Sequence, residues 1–263
     1  MAYSQSLDSF PVWVLFILTT VVFSIAVELG FRAGRLKSAH MEKEQNPQIN
    51  TILGASLGLL AFFLAFTFNM AGSRYDARKK LVLDEATAIE TAYLRAQLLP
   101  DPYRTEFEDL LRQYIDVRTQ IQTDKMETIR KVIVKSEELH GLLWSEVVKM
   151  TEESNYSGTN ALFARSLNDV FTLHQKRINA GLRNRIPMSI FLTLYFVGFL
   201  AMAMIGYQAG LIGKRIPITG FALILTFSIV MALITDLERP RQKIFSVSQQ
   251  TMVDLKNKIG RTR

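Results

Sequence analysis

The sequence predicts an all-α membrane protein in which four transmembrane helices carry a helical extramembrane domain between the second and the third. Four stretches, residues 11–27, 49–71, 186–207 and 216–235, run 17, 23, 22 and 20 residues without an Asp, Glu, Lys or Arg. A helix needs roughly 20 such residues to cross a hydrocarbon core about 30 Å thick. The insert at 72–185 holds 18 bases and 17 acids, so it belongs outside the lipid. Within it apolar residues recur at intervals of three and four, and no alternating strand pattern competes.

The first span, taken as 11–31, could pass for a signal peptide. It lacks a basic leader, since Asp8 is the only charge before it, and Ser24-Ile25-Ala26-Val27-Glu28 is a poor cleavage site. A retained transmembrane helix is expected. Glu28 and Arg32 form an i,i+4 pair at its end. The second span, 49–71, meets no helix breaker between Gly72 and Leu99, so it should leave the membrane as one long helix. Pro100-Asp101-Pro102 and Asn155-Tyr156-Ser157-Gly158 divide the insert. Its helical pattern runs through Val82, Ala86, Ile89, Tyr93; Phe107, Leu111, Tyr114; Leu142, Leu143, Val147; and Phe163, Leu167, Val170 to Leu182. The third and fourth spans, 186–207 and 216–235, begin Arg185-Ile186-Pro187 and Arg215-Ile216-Pro217, which puts proline in the first turn, where its missing N–H breaks no helical bond. A basic helical tail, 236–263, follows.

Composition removes several function classes. The 263 residues are 49% hydrophobic and 21% charged, which excludes a secreted or collagen-like chain. Cysteine is absent, so there is no disulfide, thiolate metal site or cysteine nucleophile. His40, His140 and His174 lack zinc-helix spacing and read as ordinary surface or interface residues. No phosphate loop, triad, metal cluster or dinucleotide fingerprint is present, so neither an enzyme nor a cofactor is expected. The net charge of +7 is concentrated after residue 186, where nine bases face three acids. Stacking aromatics are missing from the tail apart from Phe245, which argues against nucleic acid. Basic residues beside a membrane exit contact anionic headgroups or set topology. Eleven bases flank the spans on the insert side against six on the other, which points to cytoplasmic termini and insert.

On the second span two stripes stand out. Gly54, Gly58, Ala61, Ala65 and Gly72 share one face and form a small-residue seam of the kind that lets helix backbones approach in lipid. Roughly 100° away lie Ala55, Leu59, Phe62, Phe66, Asn69 and Ser73, an apolar stripe that turns polar toward the insert, with Thr67 on a different face. It reads either as the lining of an axis or as a packing face. Arg74, Arg78, Asp236, Glu238 and Arg239 sit at membrane exits, where ion pairing is the expected role. Asp84 and Glu85, which open an amphipathic stretch, read either as a cation-attracting ring or acid pair or, as expected here, as ion-pair partners of Arg74, Arg78 or Arg239.

The run Leu64-Ala65-Phe66-Thr67-Phe68-Asn69-Met70-Ala71-Gly72-Ser73-Arg74-Tyr75 resembles the bacterial bestrophin pattern of an apolar helix that ends in Leu-(Gly/Ala)-Phe-Arg-x-Asn before an Arg-Tyr/Trp segment. The stretch Asp84-Glu85-Ala86-Thr87-Ala88-Ile89-Glu90 and Asp236-Leu237-Glu238-Arg239-Pro240-Arg241 resemble the bacterial bestrophin-like domain family of membrane proteins, a likeness spanning roughly 11–255. The resemblance implies a homopentameric ion channel of the inner membrane, whose second helices surround the pore and whose partners are inorganic ions, lipid and further copies of itself. Phe66 then matches the last neck aromatic and Phe62 the ring one turn earlier. The family's bulky residue one turn before is Gly58 here, so that ring is lost or moved to Leu59. The base after the neck phenylalanine is Thr67, so no ion preference carries over. The acidic calcium clasp is absent after Pro240, so calcium gating does not either. The competing reading is a membrane-anchored helical scaffold or sensor that buries Phe62 and Phe66 against other helices.

Overall fold

The computed structural model describes residues 10–38, 47–120, 126–153, 158–215, 217–239 and 247–260. Expectations at Asp8, His40, Asn155, Ile216, Pro240, Arg241 and Phe245 lie outside the described residues. The elements in chain order are α1 (Val12–Ser38), α2 (Pro47–Ala96), α3 (Tyr103–Thr119), α4 (Met126–Glu153), α5 (Gly158–Ile178), a π-helical turn (Asn179–Arg183), α6 (Met188–Ile212), α7 (Pro217–Glu238) and α8 (Gln250–Gly260). No strand occurs among the described residues. Among the described residues four helices are long and apolar enough to cross a membrane, and α2 is a single helix of 50 residues, as the lack of a breaker predicts.

The chain divides into two compact units, Met1–Tyr75 with Arg185–Phe245, and Asp76–Asn184 with Ser246–Arg263. In the first, α1 and α6 approach until backbone meets backbone. A Cβ on Gly30 would lie 1.9 Å from the Ala203 carbonyl oxygen, and one on Gly34 2.1 Å from that of Tyr207. Reciprocally, Gly206 faces the Val27 oxygen at 1.9 Å and Gly210 the Phe31 oxygen at 2.2 Å. Two Gly-x-x-x-Gly pairs thus interlock, since only glycine leaves room for such contact. The sequence reading passed over both pairs, although their spacing is visible. A second core joins Leu60, Leu64 and Ala71 of α2 to Phe191, Leu194 and Ala201 of α6 and to Met231 and Ile234 of α7. Tyr195 donates to Thr19 Oγ1 at 2.8 Å, and Thr19 passes its own proton to the Leu15 carbonyl. Both hydroxyls are thereby satisfied where no water can serve them.

Helix ends follow local chemistry. The apolar pattern through Leu182 predicts that α5 continues, yet it gives way at Asn179 to the π turn, whose last bond runs from Asn184 N–H to Asn179 O at 2.9 Å. Pro187 drives Ile186 out of the helical region, which separates this turn from α6. Pro187 itself precedes the first helical residue of α6, one position earlier than expected, while Pro217 is the first residue of α7. Gly213 closes α6 at φ +77°, where a side chain would be strained.

The second unit is a bundle of the later part of α2 with α3, α4, α5 and α8. Its core brings together Ile89 and Tyr93, Phe107 and Leu111, Leu143 and Val147, Phe163 and Leu167, and Met252, Leu255 and Ile259. Phe107 and Phe163 pack with their rings tilted at 57° and centroids 4.4 Å apart. The tail helix α8 is therefore a full member of the bundle, held also by Lys256 to Asp116 at 2.9 Å and by Lys258 to Glu90.

Candidate functional site

Within the membrane part of α2 a single inward face packs on α6 and α7: Leu60, Leu64, Thr67 and Ala71 are 2%, 5%, 1% and 0% exposed. Thr67 returns its proton to the Phe63 carbonyl, which lets a hydroxyl lie in an apolar contact. The face opposite is uncovered among the described residues. Leu59, Phe62 and Phe66 are 50%, 64% and 55% exposed, and Asn69 and Ser73 are exposed one and two turns further on. Gly54, Gly58, Ala61 and Ala65 are exposed beside them, and Gly72 is half-buried. A Cβ added at Gly54, Gly58 or Gly72 would meet nothing within 4 Å. Within one chain, close approach is thus the work of α1 and α6, and the small-residue seam of α2 is open. Two phenylalanines one turn apart and an asparagine one turn beyond thus share one exposed face of α2 among the described residues, where Phe62 meets its neighbour Phe63 edge to face.

At the membrane exit, α2, α6 and α7 meet on Glu238, which is 2% exposed. Its Oε1 accepts the Ile186 N–H at 2.5 Å and pairs with Arg74 at 3.4 Å, while Arg185 reaches the Glu238 carbonyl oxygen at 3.5 Å. Glu238 so caps the backbone freed ahead of Pro187. Asp236 and Arg239 beside it are 0% and 6% exposed and both are partnered, and Arg78 is buried and partnered too. At the other end of α1, Glu28 pairs with Arg32 at 2.9 Å, as its spacing predicts, and also with Arg215 at 3.5 Å.

The second unit holds a charged cluster that the sequence reading assigned elsewhere. Glu85 is fully buried, and its partners are Arg118 of α3 and Arg177 of α5 rather than Arg74, Arg78 or Arg239. Arg118 grips both carboxylate oxygens at 3.0 Å, and the Tyr114 hydroxyl donates to Oε1 at 3.0 Å. Arg177 extends the network to Gln249, ahead of α8, at 2.5 Å. Burial alone would raise the Glu85 pKa. The charge of Arg118, with His174 close by at 3.8 Å and the charge of Arg177, outweighs it and holds the carboxyl well below the usual carboxylate range. Burial, then the Glu85 charge, pushes the Tyr114 hydroxyl well above its usual range. The histidines correct the surface reading: His174 is 0% exposed, with Nδ1 3.2 Å from the Tyr114 hydroxyl, and His140 lies 4.7 Å from it, ring to ring. Burial first, then His174 and Arg118, lowers His140 to about 3. The two rings come from α4 and α5, so no spacing along a single helix could have shown that pairing. Among the described residues no group of three or more His, Cys, Asp or Glu is arranged to hold a metal ion.

Comparison with known proteins adds a family. Residues 13–252 match the bestrophin-like domain. Among solved structures the fold is similar to a bacterial bestrophin homologue from Klebsiella pneumoniae. One mutant crystal form has a TM-score of 0.67 at 14% identity, covering 94% of this chain and 97% of that one. The form phased from zinc has a TM-score of 0.65 at 15% identity over 95% and 97%. No curated protein is similar enough to count as a match.

Proposed function

Because the chain belongs to the bestrophin-like family, we propose that it is the subunit of a homo-oligomeric ion channel, a pentamer by family resemblance, with its neck on α2. The observation that carries this reading is the uncovered face of α2 in a helix whose other face is fully packed. An aromatic stripe left bare among the described residues is what an axis between copies requires. In a ring, Phe66 and Phe62 form two apolar constrictions that exclude hydrated ions by dewetting. Asn69 and Ser73 supply polar rings beyond, and Leu59 a further apolar ring before them. The open seam of Gly54, Gly58, Ala61 and Ala65 faces the neighbouring copy, where small residues let backbones close. The setting is a bacterial inner membrane with termini and extramembrane unit in the cytoplasm; the tail bases Lys256 and Lys258 pair within the bundle rather than with headgroups.

Planar-bilayer recording of the purified protein tests this, comparing wild type with the Phe62→Ala/Phe66→Ala double variant at matched density. Shrinking both rings wets the constriction, so conductance or open probability should rise while oligomeric mass is unchanged. Equal currents would move the gate off α2. No current from either protein, with the oligomer intact, would leave a helical membrane scaffold. Sidedness is read separately with a cysteine placed at Gly213, which the cysteine-free chain makes unambiguous. The site should label in intact cells only if the short loops are periplasmic.

A further inference from the structure

We draw no further inference here: the strongest candidate, the side-chain cluster of His140 and His174 between α4 and α5, has two buried ring nitrogens without a hydrogen-bond partner, but no third ligand stands beside them among the described residues and Arg118 and Arg177 outnumber the one carboxylate of Glu85 there, so nothing in the structure shows what would occupy it.

Discussion

Replacing Gly206 by alanine is the sharpest probe of how the membrane unit holds together. The added Cβ would sit 1.9 Å from the Val27 carbonyl oxygen, far inside the 3.4 Å at which ordinary contact begins. The obstacle is backbone, so no side chain can rotate aside and the two helices must part. In lipid, dispersion is the chief attraction between helices, and a radial gap of about 0.5–1 Å already forfeits about a quarter to a half of each contact. Overpacking costs about 1–3 kcal/mol, occasionally more. With a rigid obstacle and three further glycines in the same seam, about 3 kcal/mol is expected for Gly206→Ala and a similar loss for Gly30→Ala. The control is Gly58→Ala, whose Cβ meets nothing within 4 Å. It should leave the chain's own fold unharmed or stabilise it by about 0.5–1 kcal/mol through helix propensity. Unfolding free energies from denaturing-detergent titration of the three variants separate the cases. Gly206→Ala as stable as wild type would refute the close-packed α1–α6 seam.

Three further outcomes follow from buried charge. Glu85→Ala would leave Arg118 and Arg177 facing one another in the bundle, at a cost of about 3–5 kcal/mol. Trp144 fluorescence in a denaturant melt reports it, and an unchanged midpoint would contradict the network. His140 titrates near 3 in the folded unit, below its ordinary value. The unfolded chain therefore binds the proton first, and stability should fall as pH drops from about 6.5 toward 3. Glu85, held low, adds stability that is fully present above the usual carboxylate range and is lost as pH falls from that range toward its lowered folded value. His140→Phe should flatten the upper part of that slope, and an unaltered pH profile would sink the assignment. Glu238→Ala strips the Ile186 N–H of its acceptor and should cost about 2 kcal/mol. Glu28→Ala, at a 38% exposed pair, should stay within about 0.5 kcal/mol; equal losses would argue against a special role for the Glu238 cap.

The sequence by itself determined what depends on near neighbours along the chain. Uncharged runs long enough to cross a bilayer are a property of composition, so the four spans are legible. The absence of a breaker from Gly72 to Leu99 is local, so the unbroken α2 is legible, as is the Glu28–Arg32 pair one turn apart. The two stripes of α2 follow from helical period alone, and the tertiary structure supplies which face is already occupied: Leu60, Leu64, Thr67 and Ala71. Which small residues close on a partner was decided only in three dimensions. The seams of α1, α2 and α6 look alike in sequence, yet the glycines of α1 and α6 meet carbonyl oxygens across the whole length of the insert, from Gly30 to Gly206, while Gly54 and Gly58 meet none. The same holds for Glu85, whose partners lie 33 and 92 residues away. A carboxylate's pattern states that it needs a cation, and many are within sequence reach. Complete burial makes the choice binding, because a charge withdrawn from water must be met by the groups the packing brings to it.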